Sequence, residues 1–185
     1  MNKPIFAKLA VIAALGAFGT FAGTANATVA TGTNTFQVLM KINSSCSVAA
    51  GAGSNIQLGA AGGVAASAAV GATGTNNFSV TCSNKTPYNM ALQSTNNSSN
   101  AGLGTLKGAI SGNSDTITYQ LNSGSATGPV WGNSGVTATA TGNGLAGTGN
   151  GSAQSIPVFA TATTTSVPNV TPDSYSDTVT ITVNY

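Results

Sequence analysis

The sequence contains no histidine and no glutamate, and these two absences exclude most hydrolytic mechanisms. Without His the chain cannot form a Ser-His-Asp triad or a Cys-His pair, and without Glu it cannot form a paired-Glu glycosidase site. We therefore predict a protein that is not an enzyme and that uses no cofactor and no metal.

Charge is also scarce, since charged residues make up 4% of the 185 residues and arginine is absent. The lysines beyond the N-terminal segment are balanced by an equal number of aspartates, so this part of the chain has no electrostatic footprint for nucleic acid or anionic lipid. Solubility must come from Ser, Thr, Asn and Gly, a composition typical of β-structure and turns in a protein that associates with others.

Residues 1–27 have the pattern of a secretory signal peptide. Lys3 and Lys8 accompany an apolar run from Leu9 to Ala22, and Ala25-Asn26-Ala27 supplies the small residues that signal peptidase requires. The run is shorter than the roughly 20 residues of a membrane-spanning helix. We predict cleavage after Ala27, export to an oxidising compartment and a soluble mature protein. The alternative is an N-terminal core helix, although no polar residue marks an outward face on this run.

The chain has two cysteines, Cys46 and Cys82, and both follow the predicted cleavage site. An exported chain reaches an oxidising compartment, so we predict one disulfide between them. Closing a loop of this length is worth roughly 3 to 5 kcal/mol in the chain-entropy description. A zinc site is the alternative, but two thiols without any His fall short of the usual four ligands.

Alternation of apolar residues with period two predicts β-strands in several places. The last strand is the clearest, because Thr178, Thr180 and Thr182 alternate with β-branched apolar residues. Pro157 predicts an edge strand or a strand start for its segment. The alternating or apolar runs are Phe36, Val38, Met40 and Ile42; Phe78, Val80 and Cys82; Tyr88, Met90 and Leu92; Ile117, Tyr119 and Leu121; Ile156 to Phe159; and Val179, Ile181, Val183 and Tyr185.

Polar, Gly-rich connections separate these runs, at Ser94 to Gly104, Gly112 to Asp115 and Thr141 to Ser152. The Ala-rich stretch Ala60 to Ala69 could form a short helical turn, but the glycines within and around it disfavour a helix. Several short strands separated by turn signals predict an all-β fold, a sandwich with an immunoglobulin-like arrangement.

Two patterns resemble chemical sites but have structural explanations. Gly142 to Gly147 fits the dinucleotide-binding pattern, yet more Gly, Thr and Asn follow where a helix is needed, so we predict a flexible loop. Asp173 and Asp177 could form an acid pair or a calcium site. Their position just before the last strand favours turn or strand-start roles, because Asp bonds readily to nearby backbone.

The aromatic residues Trp131, Tyr88 and Tyr119 could in principle form a platform for stacking sugars. Tyr88 and Tyr119 belong to alternating runs. Aromatic side chains contribute the largest buried areas in protein cores, so we predict that all three pack in the core.

Four elements of the sequence together resemble the spore coat protein U domain family, whose best-known members are pilins of the archaic, Csu-type chaperone-usher systems. They are Cys46 after a two-period strand, Phe78-Ser-Val-Thr-Cys82, the stretch Gly142 to Ser152 leading into Ile156-Pro-Val-Phe-Ala160, and Tyr175 to Tyr185 with its closing aromatic residue. The resemblance covers essentially the whole mature chain.

The resemblance implies an incomplete immunoglobulin-like β-sandwich that is completed by a donor strand from a neighbouring subunit. It implies three partners: a periplasmic chaperone, an outer-membrane usher and identical or homologous pilin subunits. We expect residues 28–43 to be the donor segment and residues 44–185 the pilin domain. The expected donor strand carries Phe36, Val38, Met40 and Ile42, and the expected acceptor and chaperone-binding strand carries Val179, Ile181, Val183 and Tyr185.

The sequence agrees with this picture, because it ends in a strongly apolar strand with nothing after it to cover the adjoining edge. The expected function is a structural pilin that forms surface fibres for adhesion and biofilm formation. A minor or tip adhesin that binds a surface or a glycan is the alternative within the family. A monomeric secreted enzyme is a third hypothesis, which the missing His and Glu disfavour.

Overall fold

The structure is a computed structural model that describes residues 32–50, 55–59, 72–162 and 170–185. The predicted signal peptide, residues 28–31 and Ala60 to Ala69 lie outside these ranges. The described residues are all-β, as predicted, and form nine strands. These are β1 (Cys46–Ala50), β2 (Thr73–Cys82), β3 (Pro87–Ser94), β4 (Leu103–Gly108), β5 (Thr116–Ser123), β6 (Leu145–Thr148), β7 (Ala153–Ala162), β8 (Tyr175–Ser176) and β9 (Val179–Asn184).

The strands form two antiparallel sheets. The six-stranded sheet has the order β1-β2-β7-β5-β4-β8, and the three-stranded sheet has the order β6-β3-β9. The chain passes from the first sheet to the second between β8 and β9, which only Asp177 and Thr178 separate. No helix in the described ranges is long and apolar enough to cross a membrane.

Both sheets contribute to one hydrophobic core, which makes the fold a sandwich. The alternating runs of β2, β3 and β5 supply its buried side chains, as the sequence predicts, because every second residue of a strand points to the same face. The three aromatic residues considered above as a sugar platform are buried there as well. The core consists of Val80, Cys82, Tyr88, Met90, Leu92, Tyr119, Leu121, Trp131, Val158 and Ala160.

Several strands were not predicted or begin elsewhere than predicted. Cys46 begins β1 instead of following a strand, and β4 begins at Leu103, inside a predicted connection. The predicted connection Thr141 to Ser152 contains β6, which pairs with β3. Strands such as β6 are rich in Gly, Ala and Thr, so their sequences carry no apolar alternation. Such segments form strands because they pair with neighbouring strands.

The prediction that Pro157 marks an edge strand or a strand start is wrong, because β7 lies between β2 and β5. Pro157 is opposite Asn77 of β2, whereas the pairing of β7 with β5 begins one residue later, at Val158. At Pro157 itself β7 therefore has a partner on one side. A residue without a backbone N–H is tolerated at such a locally open position.

The chain divides into two compact units, Met1–Met40 and Lys41–Tyr185, and the sandwich lies in the second. In the first unit, residues 32–40 contain no strand and no helix. Residues 41–45 of the second unit also precede the first strand. The alternating run from Phe36 to Ile42 therefore forms no strand within the chain.

Candidate assembly groove

Strand β9 lies at the edge of the three-stranded sheet. One side pairs antiparallel with β3, from Val179 opposite Ser94 to Asn184 opposite Asn89. No strand of the described ranges pairs with the other side. An unpaired edge presents a row of backbone N–H and C=O groups that can bind another extended chain.

Strand β1 lies at the corresponding edge of the six-stranded sheet, because it pairs with β2 and with no other described strand. Residues directly opposite each other in an antiparallel pair point to the same face. Val48 is opposite the fully buried Val80, and Ala50 is opposite Phe78, so both β1 residues face the interior. Val48 is nevertheless 36% exposed, whereas Val80 is 0% exposed.

These two edges lie side by side, since Cα atoms of β1 and β9 approach within 8 Å although the strands form no ladder. We call the surface between them the assembly groove. It consists of the inward-facing side chains Val48 and Ala50 of β1 and Val179, Ile181 and Val183 of β9. The three β9 residues pack against the core but stay partly exposed. The groove is thus an apolar surface between two unpaired strand edges.

The structure brings together three of the four residues predicted for the acceptor strand, Val179, Ile181 and Val183, as alternate residues on one face of β9. Tyr185 follows β9 by one residue and is 51% exposed. The outward face of β9 is polar and exposed, as the alternation with threonine predicts.

The four residues predicted for the donor strand are all strongly exposed. Phe36 and Val38 are each 87% exposed, Met40 is 83% exposed and Ile42 is 80% exposed. Leu39, which interrupts the alternation, is also strongly exposed. The segment therefore offers a row of large apolar side chains that the described residues do not cover.

A covalent bond connects the start of β1 to the end of β2. The predicted disulfide between Cys46 and Cys82 is present, with a Cα–Cα distance of 4.1 Å. Next to it, Ser83 donates its backbone N–H to the carbonyl oxygen of Ser45 at 2.9 Å, and the Ser45 N–H donates to the Ser83 hydroxyl at 3.0 Å. These bonds fix the point at which the exposed segment joins the sandwich.

Asp177 lies where the chain leaves the six-stranded sheet for the three-stranded one. Its Oδ2 accepts hydrogen bonds from the Ser94 hydroxyl at 2.5 Å, the Tyr119 hydroxyl at 2.8 Å and the Thr105 N–H at 3.3 Å. Its Oδ1 accepts hydrogen bonds from two backbone N–H groups, that of Asn96 at 3.1 Å and that of the next residue in the chain, Thr178, at 2.7 Å. Burial of Tyr119 and its bond to Asp177 raise the pKa of this phenol far above the usual range.

Gly104 makes room for this arrangement. It is opposite Tyr119 in the β4–β5 pair, and a Cβ atom at Gly104 would lie 1.9 Å from Cζ of the tyrosine ring. The ring therefore lies directly over the glycine, and its hydroxyl extends beyond β4 to Asp177.

Sequence reasoning did not find the β1 side of the groove or the long-range bonds of Asp177. The predicted strand-start role of Asp177 agrees with its local bond to Thr178. Its other partners are distant in the sequence, with Ser94 83 positions away, and no local pattern marks them. The scarcity of acidic residues is the one signal that could have drawn attention to it.

The sequence matches the family model of the Spore Coat Protein U domain over residues 32–182. The chain belongs to the spore coat protein U domain family. This match begins inside the expected donor segment, residues 28–43, and includes both cysteines and most of β9. The boundary between donor segment and pilin domain stays a prediction.

None of the curated proteins matches this spore coat protein U domain chain significantly. Among solved structures, it is similar to the CsuC-CsuE chaperone-tip adhesion subunit pre-assembly complex from the archaic chaperone-usher Csu pili of Acinetobacter baumannii. The sequence identity is 21% and the TM-score 0.44. The alignment covers 78% of this chain and 40% of that chain, so this chain spans less than half of the length of its structural relative.

Proposed function

We propose that this protein is a structural pilin subunit of an archaic, Csu-type chaperone-usher pilus that polymerises by donor-strand complementation into surface fibres for adhesion and biofilm formation. The observation that carries the proposal is the assembly groove, in which an unpaired strand edge borders inward-facing apolar side chains that stay partly exposed. Membership of the spore coat protein U domain family supports it.

The groove has the two properties that strand addition requires. The free edge of β9 offers backbone hydrogen bonds to an incoming strand, and Val179, Ile181 and Val183 offer contacts to alternate side chains of that strand. Backbone bonds supply affinity in this binding mode, and the fit of alternate side chains supplies specificity. A strand added to the free edge of β9 would cover that edge and the apolar side chains beside it.

The occupant that we propose is the N-terminal segment of a second copy or of a homologous pilin. Phe36, Val38, Met40 and Ile42 alternate along this segment and are strongly exposed. Burying each of them is worth about 1.5 to 3 kcal/mol, an upper estimate because unfolded chains already bury part of their apolar surface. The donor strand therefore has enough apolar area to hold a neighbouring subunit firmly.

An exposed apolar edge is also a hazard before assembly, because open strand edges promote aggregation. The proposal therefore includes a periplasmic chaperone that covers β9 until the donor strand replaces it. It also includes an outer-membrane usher at which this exchange occurs, and export directed by the signal peptide, residues 1–27, which is cleaved after Ala27.

The test is expression of the chain with its chaperone and usher, comparing wild type with Val38→Asp. An aspartate on the inserting face would place a carboxylate in an apolar groove, at a cost of several kcal/mol. Wild type should form fibres, whereas Val38→Asp should accumulate as a chaperone-bound monomer in size-exclusion chromatography and should leave the cell surface bare in electron microscopy.

Gln37→Asp is the matched control, because it adds the same charge one residue away on the opposite face of the strand. We expect this variant to assemble nearly as well as wild type. Normal fibre formation by Val38→Asp, or an equal loss in both variants, would contradict the proposed donor face.

A further inference from the structure

We infer that Asp177 is the positioning residue of the assembly groove: its carboxylate holds β9 at the place where an incoming strand can pair with it. This inference rests on the proposed function, since it concerns the binding of the donor strand. Asp177 does not touch that strand itself. It acts through the position of β9.

The first argument is the place of Asp177 in the topology. Strand β8 pairs with β4 in the six-stranded sheet, and β9 pairs with β3 in the three-stranded sheet. Asp177 and Thr178 are the two residues between β8 and β9. Their conformation therefore sets the direction in which the chain passes from the first sheet into β9. A change of a few degrees at this point would move the far end of β9 relative to β1.

The second argument is the distribution of the hydrogen bonds. Ser94 ends β3 in the three-stranded sheet, whereas Thr105 and Tyr119 belong to β4 and β5 in the six-stranded sheet. One carboxylate thus accepts bonds from both sheets, at 2.5 Å from Ser94 and 2.8 Å from Tyr119. Such charge-assisted bonds are roughly twice as strong as neutral ones.

The third argument is what β9 lacks elsewhere. A central strand is held on both sides, but β9 pairs with β3 alone among the described strands. In the described residues, the bonds at Asp177 join the beginning of β9 to the opposite sheet. The carboxylate therefore holds β9 in place at the edge that a donor strand would use.

A carboxylate can accept from all five donors. Three of them are backbone N–H groups, which cannot turn round to accept a bond. An asparagine with its oxygen in place of Oδ1 would direct its NH₂ group towards the Thr105 N–H and would carry no charge. Asp177→Asn therefore keeps the size of the side chain, removes the charge from the network and breaks its bond to Thr105.

Asp173 provides a matched control in the same segment. Its carboxylate accepts bonds from the Ile110 N–H at 2.9 Å and the Asn113 amide at 2.8 Å, both in the turn after β4. Its partners among the described residues all lie outside the three-stranded sheet, so Asp173→Asn removes a similar carboxylate without releasing β9.

The experiment uses the mature chain purified with its chaperone and a fluorescent peptide that copies residues 32–43. The dissociation rate of the incorporated peptide is measured for wild type, Asp177→Asn and Asp173→Asn. We expect dissociation from Asp177→Asn to be faster by about tenfold, the equivalent of one charged hydrogen bond. For Asp173→Asn we expect a change of less than about twofold.

A second measurement separates positioning from general stability. Hydrogen exchange of the β9 amides in the chaperone-free subunit before peptide addition should accelerate in Asp177→Asn, while exchange in β2 and β5 should stay as in wild type. Equal acceleration in all strands would show a merely structural role and overturn the inference.

The outcomes distinguish the two proposals. If wild type incorporates no peptide, the proposed function fails and the inference fails with it. If wild type and Asp177→Asn release the peptide at the same rate, the donor mechanism stands and the inference about Asp177 is wrong.

Discussion

Strands β3 and β9 are neighbours with similar apolar faces, yet they differ in burial. Met90 and Leu92 of β3 are fully buried, whereas Val183 and Ile181, which lie directly opposite them, stay partly exposed. The difference follows from the number of neighbouring strands: β3 lies between β6 and β9, and β9 has one partner among the described strands.

The same contrast occurs in the other sheet, where Val80 of β2 is buried and Val48 of β1 is exposed. Burial thus declines from the centre of each sheet to the same side of the sandwich. The central strands are therefore buried, and the edges of β1 and β9 stay uncovered by the described residues. The following predictions test this division between a stable centre and an open side.

The largest effect is expected from removal of the disulfide, because it attaches β1 to the centre of the sheet. Replacing Cys46 and Cys82 together by alanine opens a loop with a sequence separation of 36. The free energy of unfolding should fall by about 4 kcal/mol in the chain-entropy description.

Urea unfolding of the chaperone-free mature subunit measures this change. Wild type in reductant serves as the control and should resemble the double variant. Unchanged stability in both would show that the β1–β2 ladder holds the open side without covalent help.

The second prediction compares Leu92→Ala with Ile181→Ala, a matched pair of opposite residues. Leu92 is fully buried, so its truncation should cost about 3 kcal/mol of subunit stability through lost transfer energy and a cavity. Ile181 is partly exposed, so its truncation should cost the free subunit about 1 kcal/mol.

For fibre formation, we expect the opposite order of the two effects. Ile181→Ala should slow fibre formation more than its small effect on stability explains, because Ile181 faces the groove. Urea midpoints and fibre yields of both variants provide the measurement, and equal losses of subunit stability would refute the division between centre and open side.

The smallest effect concerns acid and a region away from the groove. Hydrogen bonds from the hydroxyl and N–H of Thr171 lower the pKa of Asp115, and the Ile110 N–H lowers the pKa of Asp173. A carboxyl group whose pKa is lower in the folded state stabilises the fold above its unfolded pKa of about 4. This stabilisation is lost as the pH falls through the folded pKa.

The urea midpoint should therefore decrease modestly between pH 5 and pH 3 because of these two groups. Both carboxylates are partly accessible to solvent, and solvent-accessible interactions contribute little. The double variant Asp115→Asn and Asp173→Asn should show a flatter profile over this range, with the apolar core providing the remaining stability. A profile as steep as that of wild type would exclude these carboxylates as its source.

The strands with alternating apolar residues were predictable from sequence, because alternation marks β2, β3, β5 and β9 directly. The strands without alternation were less accessible. In β4, the two apolar residues Leu103 and Leu106 are three positions apart and do not follow a period of two. Positions 104 and 108 are glycines. Such segments become strands because their neighbours offer them a ladder, which is information that a local pattern does not contain.

The candidate site was predictable to a similar degree. The alternation of β9 predicted its apolar face, and the two thiols predicted the disulfide. The β1 edge and the bonds of Asp177 depend on which distant segments meet in space. Tyr119, for example, reaches Asp177 because Gly104 leaves room for its ring.

The disulfide also has a mechanical consequence. Cys46 is the first residue of β1. A force that pulls on the exposed segment N-terminal to β1 therefore reaches the sandwich at this residue. The covalent bond passes the tension directly to Cys82 at the end of β2, which β7 holds on its other side. The force thus bypasses the ladder of β1, the part of the sheet that would otherwise separate first. In a fibre under flow, the force at each junction between subunits would therefore act on β2, inside the sheet, and not on the edge strand β1.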